Sequence, residues 1–226
     1  TSLIALLQTL CAMLAGYSFA RLKFPGRNVF FLLVVVTIVV PPQMCMLPQY
    51  LYFKEFDIGF LLKAITGKGL IEHITGSSVN LLNNSLSLYI LNALGMGLKS
   101  GLYIYIFRQT FRGLPKELEE AANIDGASIF RTFWRVVYPL MKPINVTMLV
   151  LNTLFSWNDF YVSVTILQSA QNRTLPLAQF VYRSESGVDV NQAFAFFTLC
   201  MLPVLILYLF SQRYIVSGIM SGAVKG

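Results

Sequence analysis

The chain has 226 residues, of which 56% are hydrophobic and 12% are charged, and its 17 basic and 10 acidic residues give a formal net charge of +7. A mean hydropathy of +0.64 excludes an ordinary soluble domain of this length and indicates an integral membrane protein. The cysteines lie alone in separate apolar segments and the basic residues show no aromatic interleaving, so we expect no disulfide framework, metal site or nucleic-acid interface.

Five apolar segments are long enough to cross a bilayer core, which needs about 20 mostly apolar residues. In chain order they cover residues 2–20, 29–53, 88–107, 144–167 and 193–211. Pro41, Pro42 and Pro48 predict a kink in the second segment, while Gly95 and Gly97 predict a close helix approach in the third. We therefore predict an all-α fold: a polytopic bundle of helices with five spans in this chain.

The distribution of positive charge predicts the orientation, because lysine and arginine in short loops stay in the cytoplasm. If the first loop is cytoplasmic, eleven basic residues fall inside and five outside, with Lys99 left within a span. The inside set is Arg21, Lys23, Arg27, Arg108, Arg112, Lys116, Arg131, Arg135, Lys142, Arg213 and Lys225, and the outside set is Lys54, Lys63, Lys68, Arg173 and Arg183. The C-terminus is then cytoplasmic, and one further span is expected before Thr1.

The cytoplasmic segment 108–142 contains the signals of a helix followed by a sharp turn. Pro115 suits the first turn of a helix, and the acidic run after it lies near the positive end of the helix dipole. Asp125 and Gly126 supply the turn. Ser128 then caps a second helix, whose apolar residues recur at spacings of three and four: Ile129, Phe130, Phe133, Trp134 and Val137.

Two interpretations fit this pair of helices. Amphipathic helices with basic residues often lie at the membrane surface. The small side chains of Ala121 and Ala122 beside an acidic turn favour the alternative, which is a projecting surface that docks a soluble partner.

The same stretch resembles the EAA loop of ABC importer permeases. The resemblance rests on Glu120-Ala121-Ala122, then Gly126 after three residues, and then 136–139. The family form of that last part is Ile-x-Leu-Pro, whereas this chain has Val-Val-Tyr-Pro. The resemblance implies that the first helix is a coupling helix that sits in a cleft of an ATPase subunit, with these coupling residues: Glu119, Glu120, Ala121, Ala122, Asp125, Gly126 and Phe130.

Further stretches are similar to the carbohydrate-uptake permeases, in particular the second permease of maltose transporters. They cover 20–53, 156–167, 172–180 and 212–226, whereas the outer loop 57–87 is longer than is typical and is expected to be exposed. The resemblance implies six spans in the intact subunit and a single transmembrane domain, 1–226, that lacks its first span and contains the coupling loop 108–142. It also implies a bacterial inner-membrane location.

The family resemblance further implies a set of partners: a second related permease, two ATPase subunits and an extracytoplasmic solute-binding protein. No Walker loop GxxxxGK[ST] occurs in the sequence. We therefore expect a non-catalytic subunit that binds no cofactor itself, with ATP and Mg²⁺ on the partner ATPase. The expected function is sugar or oligosaccharide import.

Polar residues within the predicted spans are candidates for the solute pathway, because such residues are costly in lipid. The candidates are Asn92, Asn152, Trp157, Asn158 and Asp159. Hydrogen bonding between helices is the alternative role, and we favour it for the Asn158–Asp159 pair. Lys99 could extend its ammonium group to the membrane surface.

Other functions fit the composition less well. A permease for an amino acid or a phosphate ester is the nearest alternative, and an ATP-independent secondary transporter is another, although no inverted repeat is evident. A membrane enzyme is disfavoured because His73 is the single histidine and no nucleophile lies beside a base.

Overall fold

A computed structural model of the chain describes residues 1–57, 66–67, 69–178 and 190–223, with side chains described as far as 212. The predicted positions Lys63, Lys68, Arg183 and Lys225, the side chain of Arg213, and the end of the stretch 172–180 therefore lie outside the described residues. Within the described ranges the chain is helical and has no β-strand, with one isolated antiparallel bridge between Phe56 and Val79. The predicted all-α class is confirmed at this level.

Twelve α-helices follow one another in the described residues. They are α1 (Ser2–Arg21), α2 (Arg27–Val39), α3 (Pro42–Lys54), α4 (Leu70–Thr75), α5 (Ser85–Ala93), α6 (Ser100–Arg112), α7 (Glu117–Ile124), α8 (Ile129–Thr132), α9 (Tyr138–Leu140), α10 (Lys142–Trp157), α11 (Tyr161–Ile166) and α12 (Val190–Ala223). A π-helical turn, Phe133–Val137, lies between α8 and α9, and a 3-10 turn, Ala170–Asn172, follows α11.

Two of the described helices are long and apolar enough to cross a membrane: α1, and α12 over Val190–Gln212. The pair α2 and α3 passes the same test together but bends by 108°, so it is a third candidate if the pair forms one span. The kink expected from the prolines of this pair is therefore a full break at Pro41, whereas Pro48 lies within α3. Proline disfavours the helical conformation of the residue before it, and Val40 is extended, with φ −69° and ψ 120°.

The other two predicted spans are each interrupted. Segment 88–107 divides into α5 and α6 around a turn at 94–99, where Gly95 and Lys99 have φ values of 71° and 61°. Gly95 makes a turn, and the predicted close approach to a neighbouring helix is also present. A Cβ at Gly95 would lie 3.1 Å from Cys11 Sγ on α1, and a Cβ at Gly97 would lie 2.9 Å from Gln8 Nε2 on the same helix. Segment 144–167 divides into α10 and α11 at Asn158–Phe160, where Asn158 ends α10. Polar groups freed by the first break are bonded internally, since the Gln8 amide donates to the Leu98 carbonyl at 2.7 Å.

Helix α1 lies at the centre of the bundle and packs against α5, α6 and α10. Gly16 allows a close approach to α6, because a Cβ there would lie 2.6 Å from the Cβ of Phe107. The adjoining core includes five aromatic side chains and Val137, contributed by α1, α6 and the π-helical turn: Tyr17, Tyr103, Phe107, Phe111, Phe133 and Val137. This core links α1 directly to the segment that contains α7 and α8.

A second core lies at the opposite end of the bundle and joins α3, α5 and α11. It contains Phe53, Phe56, Leu81, Leu88, Leu91, Val162, Ile166 and Leu167. The described part of the outer loop is anchored to it: Asp57 is buried and accepts hydrogen bonds from the N–H groups of Ile71 and Glu72 at 2.6 and 2.8 Å. The loop expected to be fully exposed is therefore partly packed, while 58–65 and 68 lie outside the described residues.

Candidate functional site

Helix α7 ends in a tight turn at Gly126. The Asp125 N–H donates to the Ala121 carbonyl and the Ala127 N–H donates to the Ala122 carbonyl, both at 3.0 Å. Gly126 has a φ of 77°, and no atom lies within 4 Å of the position that a Cβ would take. The backbone conformation, not a lack of space, therefore favours glycine here.

The second helical stretch is less regular than the sequence predicts. Ser128 caps it as expected, because its Oγ accepts a hydrogen bond from the Arg131 N–H at 3.4 Å. The predicted single amphipathic helix is instead α8, the π-helical turn and α9. Pro139 has no N–H to donate to the Arg135 carbonyl, so one regular helical bond is missing where the turn widens.

One side of α7 is fixed to the end of α1 by charge. The Nε of Arg21 lies 2.6 Å from Oε1 of Glu119 in an ion pair whose side chains are 7% and 15% exposed. The pair is close but lacks hydrogen-bond alignment. The hydroxyl of Tyr17 donates to Oε2 of Glu119 at 3.2 Å, and Arg21 Nη2 donates to the Leu114 carbonyl at 2.8 Å. Glu119, a predicted coupling residue, thus faces inward and joins α7 to α1.

The opposite side of this segment is exposed and partly apolar. Ile124 and Phe130 are 87% and 73% exposed, and Leu118 and Ile129 are also exposed. Of the other predicted coupling residues, four are exposed or half-buried on α7 and its turn: Glu120, Ala121, Ala122 and Asp125. The sequence analysis did not include Leu118 and Ile124 among the coupling residues. Large apolar residues on a short acidic helix could have indicated that they are exposed contact residues.

A series of aromatic rings leads from the exposed side to α1. Phe130 contacts Trp134 with ring centroids 6.1 Å apart, and Trp134 contacts Phe133 at 5.1 Å. Phe133 then packs edge-on against Tyr17 at 4.8 Å. The exposed surface of α8 is therefore in continuous contact with the bundle core.

Arg108 marks the start of the same segment on α6. Its guanidinium carbon lies 3.8 Å from the ring centroid of Phe31, and its Nε donates to the Phe19 carbonyl at 3.4 Å. Burial, and then the neighbouring charges of Arg112 and Arg27, lower the pKa of Arg108 from its usual value. The arrangement joins α6 to the ends of α1 and α2.

Three of the predicted pathway residues line one polar cavity of about 160 Å³: Asn92, Asn152 and Asp159. Asn152 is 1% exposed, and its amide donates to the Ala5 carbonyl at 3.0 Å and to Thr9 Oγ1 at 3.1 Å. These two bonds join α10 to α1.

The remaining polar contacts of the predicted pathway residues are local. Asn92 donates to the Leu88 carbonyl at 2.7 Å within α5. The Asp159 carboxylate accepts from the Val162 N–H at 3.4 Å at the start of α11. Asn158 and Trp157 do not line this cavity; Asn158 is exposed and Trp157 is half-buried.

A larger groove of about 780 Å³ lies between the bent pair α2–α3 and the turn 94–99. Its walls are mostly apolar, with polar groups from Gln49, Tyr52, Lys99 and Tyr161. Lys99 is exposed, and its Nζ lies 3.3 Å from the ring centroid of Phe155.

Apolar helices long enough to cross a membrane, joined by a short exposed helix and turn, are the architecture of a membrane protein with several helices. The family described as the binding-protein-dependent transport system inner membrane component matches residues 8–221, and the chain belongs to this family. The predicted membrane location and permease class are thereby confirmed.

Two relatives show what kinds of protein this chain is similar to. It is 33% identical over 211 residues to the arabinooligosaccharides transport system permease protein AraQ of Bacillus subtilis. That match covers 93% of this chain and 65% of AraQ. It is 30% identical over 226 residues to the melibiose/raffinose/stachyose import permease protein MelC of the same species. That match covers 100% of this chain and 73% of MelC.

A solved structure shares the fold. It is the crystal structure of a bacterial ABC transporter involved in the import of the acidic polysaccharide alginate, with a TM-score of 0.60 and 20% sequence identity. The match covers 93% of this chain and 71% of the solved chain. The likeness shows that this chain shares the fold of that solved chain.

Proposed function

We propose that this chain is the permease subunit of an ATP-driven ABC importer for a sugar or oligosaccharide and forms half of the translocation pathway. The observation that carries the proposal is the family match over 8–221 together with relatives named for arabinooligosaccharides, melibiose, raffinose and stachyose. Membership of a binding-protein-dependent family disfavours an ATP-independent secondary transporter.

The segment 108–142 is the proposed joint to a separate ATPase subunit. The exposed side of α7 and α8 supplies Ile124 and Phe130 as apolar contacts, with Glu120 and Asp125 as charged neighbours. Large exposed apolar side chains on a short helix are typical of a surface that a partner covers. The bonds of Glu119 to Arg21 and Tyr17 support a rigid connection, so a movement of α7 would be passed to α1.

ATP and Mg²⁺ bind to the ATPase in this account, and the chain itself is non-catalytic. Its partners are a second related permease, two ATPase subunits and an extracytoplasmic solute-binding protein. The joint and the C-terminus face the cytoplasm, as the excess of basic residues on that side supports. We count the interrupted segments 88–107 and 144–167 as one span each, which gives five spans in this chain.

The solute pathway is proposed to run along the surface of the bundle that faces the companion permease. The bonds of Asn152 to α1 support a packing role for this residue beside the pathway. Trp157, Asn158 and Asp159 lie at the break between α10 and α11, where unwound backbone can line a cavity.

Reconstituted transport tests this function. The intact subunit would be coexpressed with the products of its neighbouring genes, purified and incorporated into liposomes. ATP is enclosed in the liposomes, so that it reaches the transporters whose joint and ATPase subunits face the lumen. We expect ATP-dependent, binding-protein-dependent accumulation of a labelled oligosaccharide. Accumulation of an amino acid or a phosphate ester instead would replace the sugar assignment, and accumulation that needs no ATP would refute the ABC mechanism.

A further inference from the structure

Lys99 occupies an unusual depth for a charged side chain. It lies nine positions before Arg108, which is on α6, and a helical rise of 1.5 Å per residue places it about 13 Å from that basic end. The hydrocarbon core of a bilayer is about 30 Å thick. Lys99 therefore lies near the middle of the membrane, where a lysine facing lipid is strongly disfavoured.

The backbone of Lys99 adds a second cost. Its φ of 61° lies in the left-handed region, which glycine adopts freely and lysine does not. The surrounding sequence, GMGLKSG, has glycine at three nearby positions, yet not at this one. A strained position that holds a lysine where glycine would fit better indicates a use for the side chain.

The contacts of Lys99 within the chain only partly compensate for these costs. Its Nζ lies 3.3 Å from the ring centroid of Phe155. Among the described residues, no carboxylate forms an ion pair with Lys99. The ion pair found among those residues joins Arg21 and Glu119 instead. A cation near the membrane centre whose charge is not neutralised faces a cavity or a partner.

The cavity that Lys99 lines has the size and chemistry of a small-molecule site. The groove of about 780 Å³ combines apolar walls with the aromatic rings of Tyr52 and Tyr161 and the amide of Gln49. Aromatic faces match the apolar faces of sugar rings, and the amide and phenol groups match their hydroxyls. The ammonium group lies on Phe155, which is not part of the groove lining, so it would turn toward the groove to contact negative charge on the solute.

We propose that Lys99 is an anion-binding position of the solute pathway, and that the groove between α2–α3 and the turn 94–99 admits a sugar with a carboxylate or phosphate group. The inference rests on the proposed function and narrows its substrate class. A carboxylate of the companion permease, or a lipid, are the competing occupants of the groove.

Thiol modification in the assembled transporter tests the charge of the groove. In a background with Cys11, Cys45 and Cys200 replaced by alanine, Met96→Cys places a reporter on the same turn, at a residue that is 60% exposed. Val39→Cys is the control, because Val39 is 80% exposed but does not line the groove. The probes are an anionic and a cationic methanethiosulfonate, applied in the absence of ATP.

We expect Met96→Cys to prefer the anionic probe, and Lys99→Asn to lower the ratio of anionic to cationic rates about threefold or more. This change in the rate ratio follows from the Coulomb energy between the Lys99 ammonium and a probe charge about 10 Å away at an effective dielectric constant of about 20, an energy that salt lowers. Lys99→Arg should keep the ratio, whereas the ratio at Val39→Cys should not respond. Asparagine tolerates the left-handed backbone, and copurification of the companion subunits verifies that each variant assembles.

Protection by solute tests the substrate class. A disaccharide containing a uronic acid should slow the modification of Met96→Cys more than its neutral counterpart, and Lys99→Asn should abolish the difference. Equal protection by the two sugars, or a rate ratio unchanged by Lys99→Asn, refutes the inference. Lack of reaction in an assembled transporter assigns the groove to the companion permease or to lipid. Each of these failures leaves ATP-dependent sugar uptake, which is measured separately, intact.

Discussion

Removal of the Glu119 carboxylate should detach α7 from α1 without unfolding the bundle. In Glu119→Ala the guanidinium of Arg21 loses its ion-pair partner while 7% of its side chain is exposed, and Tyr17 loses an acceptor. Breaking a largely buried pair by deleting one member costs about 3 kcal/mol, because the remaining charge stays buried and unpaired. Since Arg21 keeps its bond to the Leu114 carbonyl, we expect a loss of about 2 kcal/mol in the local stability of α7.

Hydrogen exchange of the α7 amides in the assembled transporter measures this loss. A change of about 2 kcal/mol in local opening corresponds to roughly 30-fold faster exchange. Glu117→Ala is the matched control, because Glu117 is exposed on the same helix, is not one of the proposed coupling residues, and surface substitutions of this kind change stability by about 0.5 kcal/mol or less.

A double-mutant cycle isolates the pair itself. Arg21→Ala combined with Glu119→Ala should cost less than the sum of the single variants, with a coupling energy of about 2 kcal/mol. Additive effects, or equal exchange rates in Glu119→Ala and Glu117→Ala, would show that the ion pair does not hold α7 and that the proposed rigid connection is wrong.

Three further predictions follow from the packing. Gly16→Ala should destabilise the subunit by about 1–3 kcal/mol in denaturant unfolding, because its Cβ would lie 2.6 Å from that of Phe107; Gly113→Ala, at an ordinary helical backbone, should be near neutral. Asn152→Leu should cost about 1 kcal/mol through its lost bonds to α1, yet retain measurable uptake; complete loss of uptake in a stable protein would instead make Asn152 a solute contact. Phe130→Ala should leave thermal stability unchanged but reduce ATPase copurification, since this ring is 73% exposed. Lower thermal stability with unchanged ATPase copurification would show that the ring stabilises the fold and does not contact the ATPase.

Local signals in the sequence were enough to predict the turn at Gly126 and the cap at Ser128, because both depend on neighbouring residues alone. The class of fold was also predictable, since apolar segments of this length have few alternatives. The inward direction of Glu119 was not, because its partners Tyr17 and Arg21 lie about a hundred residues away in the chain.

The breaks within the apolar segments could not be predicted from the sequence either. Hydropathy averages over a window, so a turn of six residues such as 94–99 between two apolar helices leaves the average high. Pro41 gave a local signal for a bend, but its size, 108°, depends on how α2 and α3 pack against the rest of the bundle. The left-handed backbone at Lys99 had no such signal, because lysine rarely adopts it.

Copurification of the ATPase subunit tests the central claim most directly. Gly126→Ala forces a side chain into the left-handed turn, at a cost of about 1–2 kcal/mol, whereas Gly113→Ala changes the same segment at a permissive backbone. We predict that the wild type and Gly113→Ala retain both the companion permease and the ATPase, and that Gly126→Ala, combined with Ala121→Leu, retains the permease but loses the ATPase. Undiminished recovery of the ATPase with the Gly126 and Ala121 double variant would contradict the claim that this turn and helix form the joint.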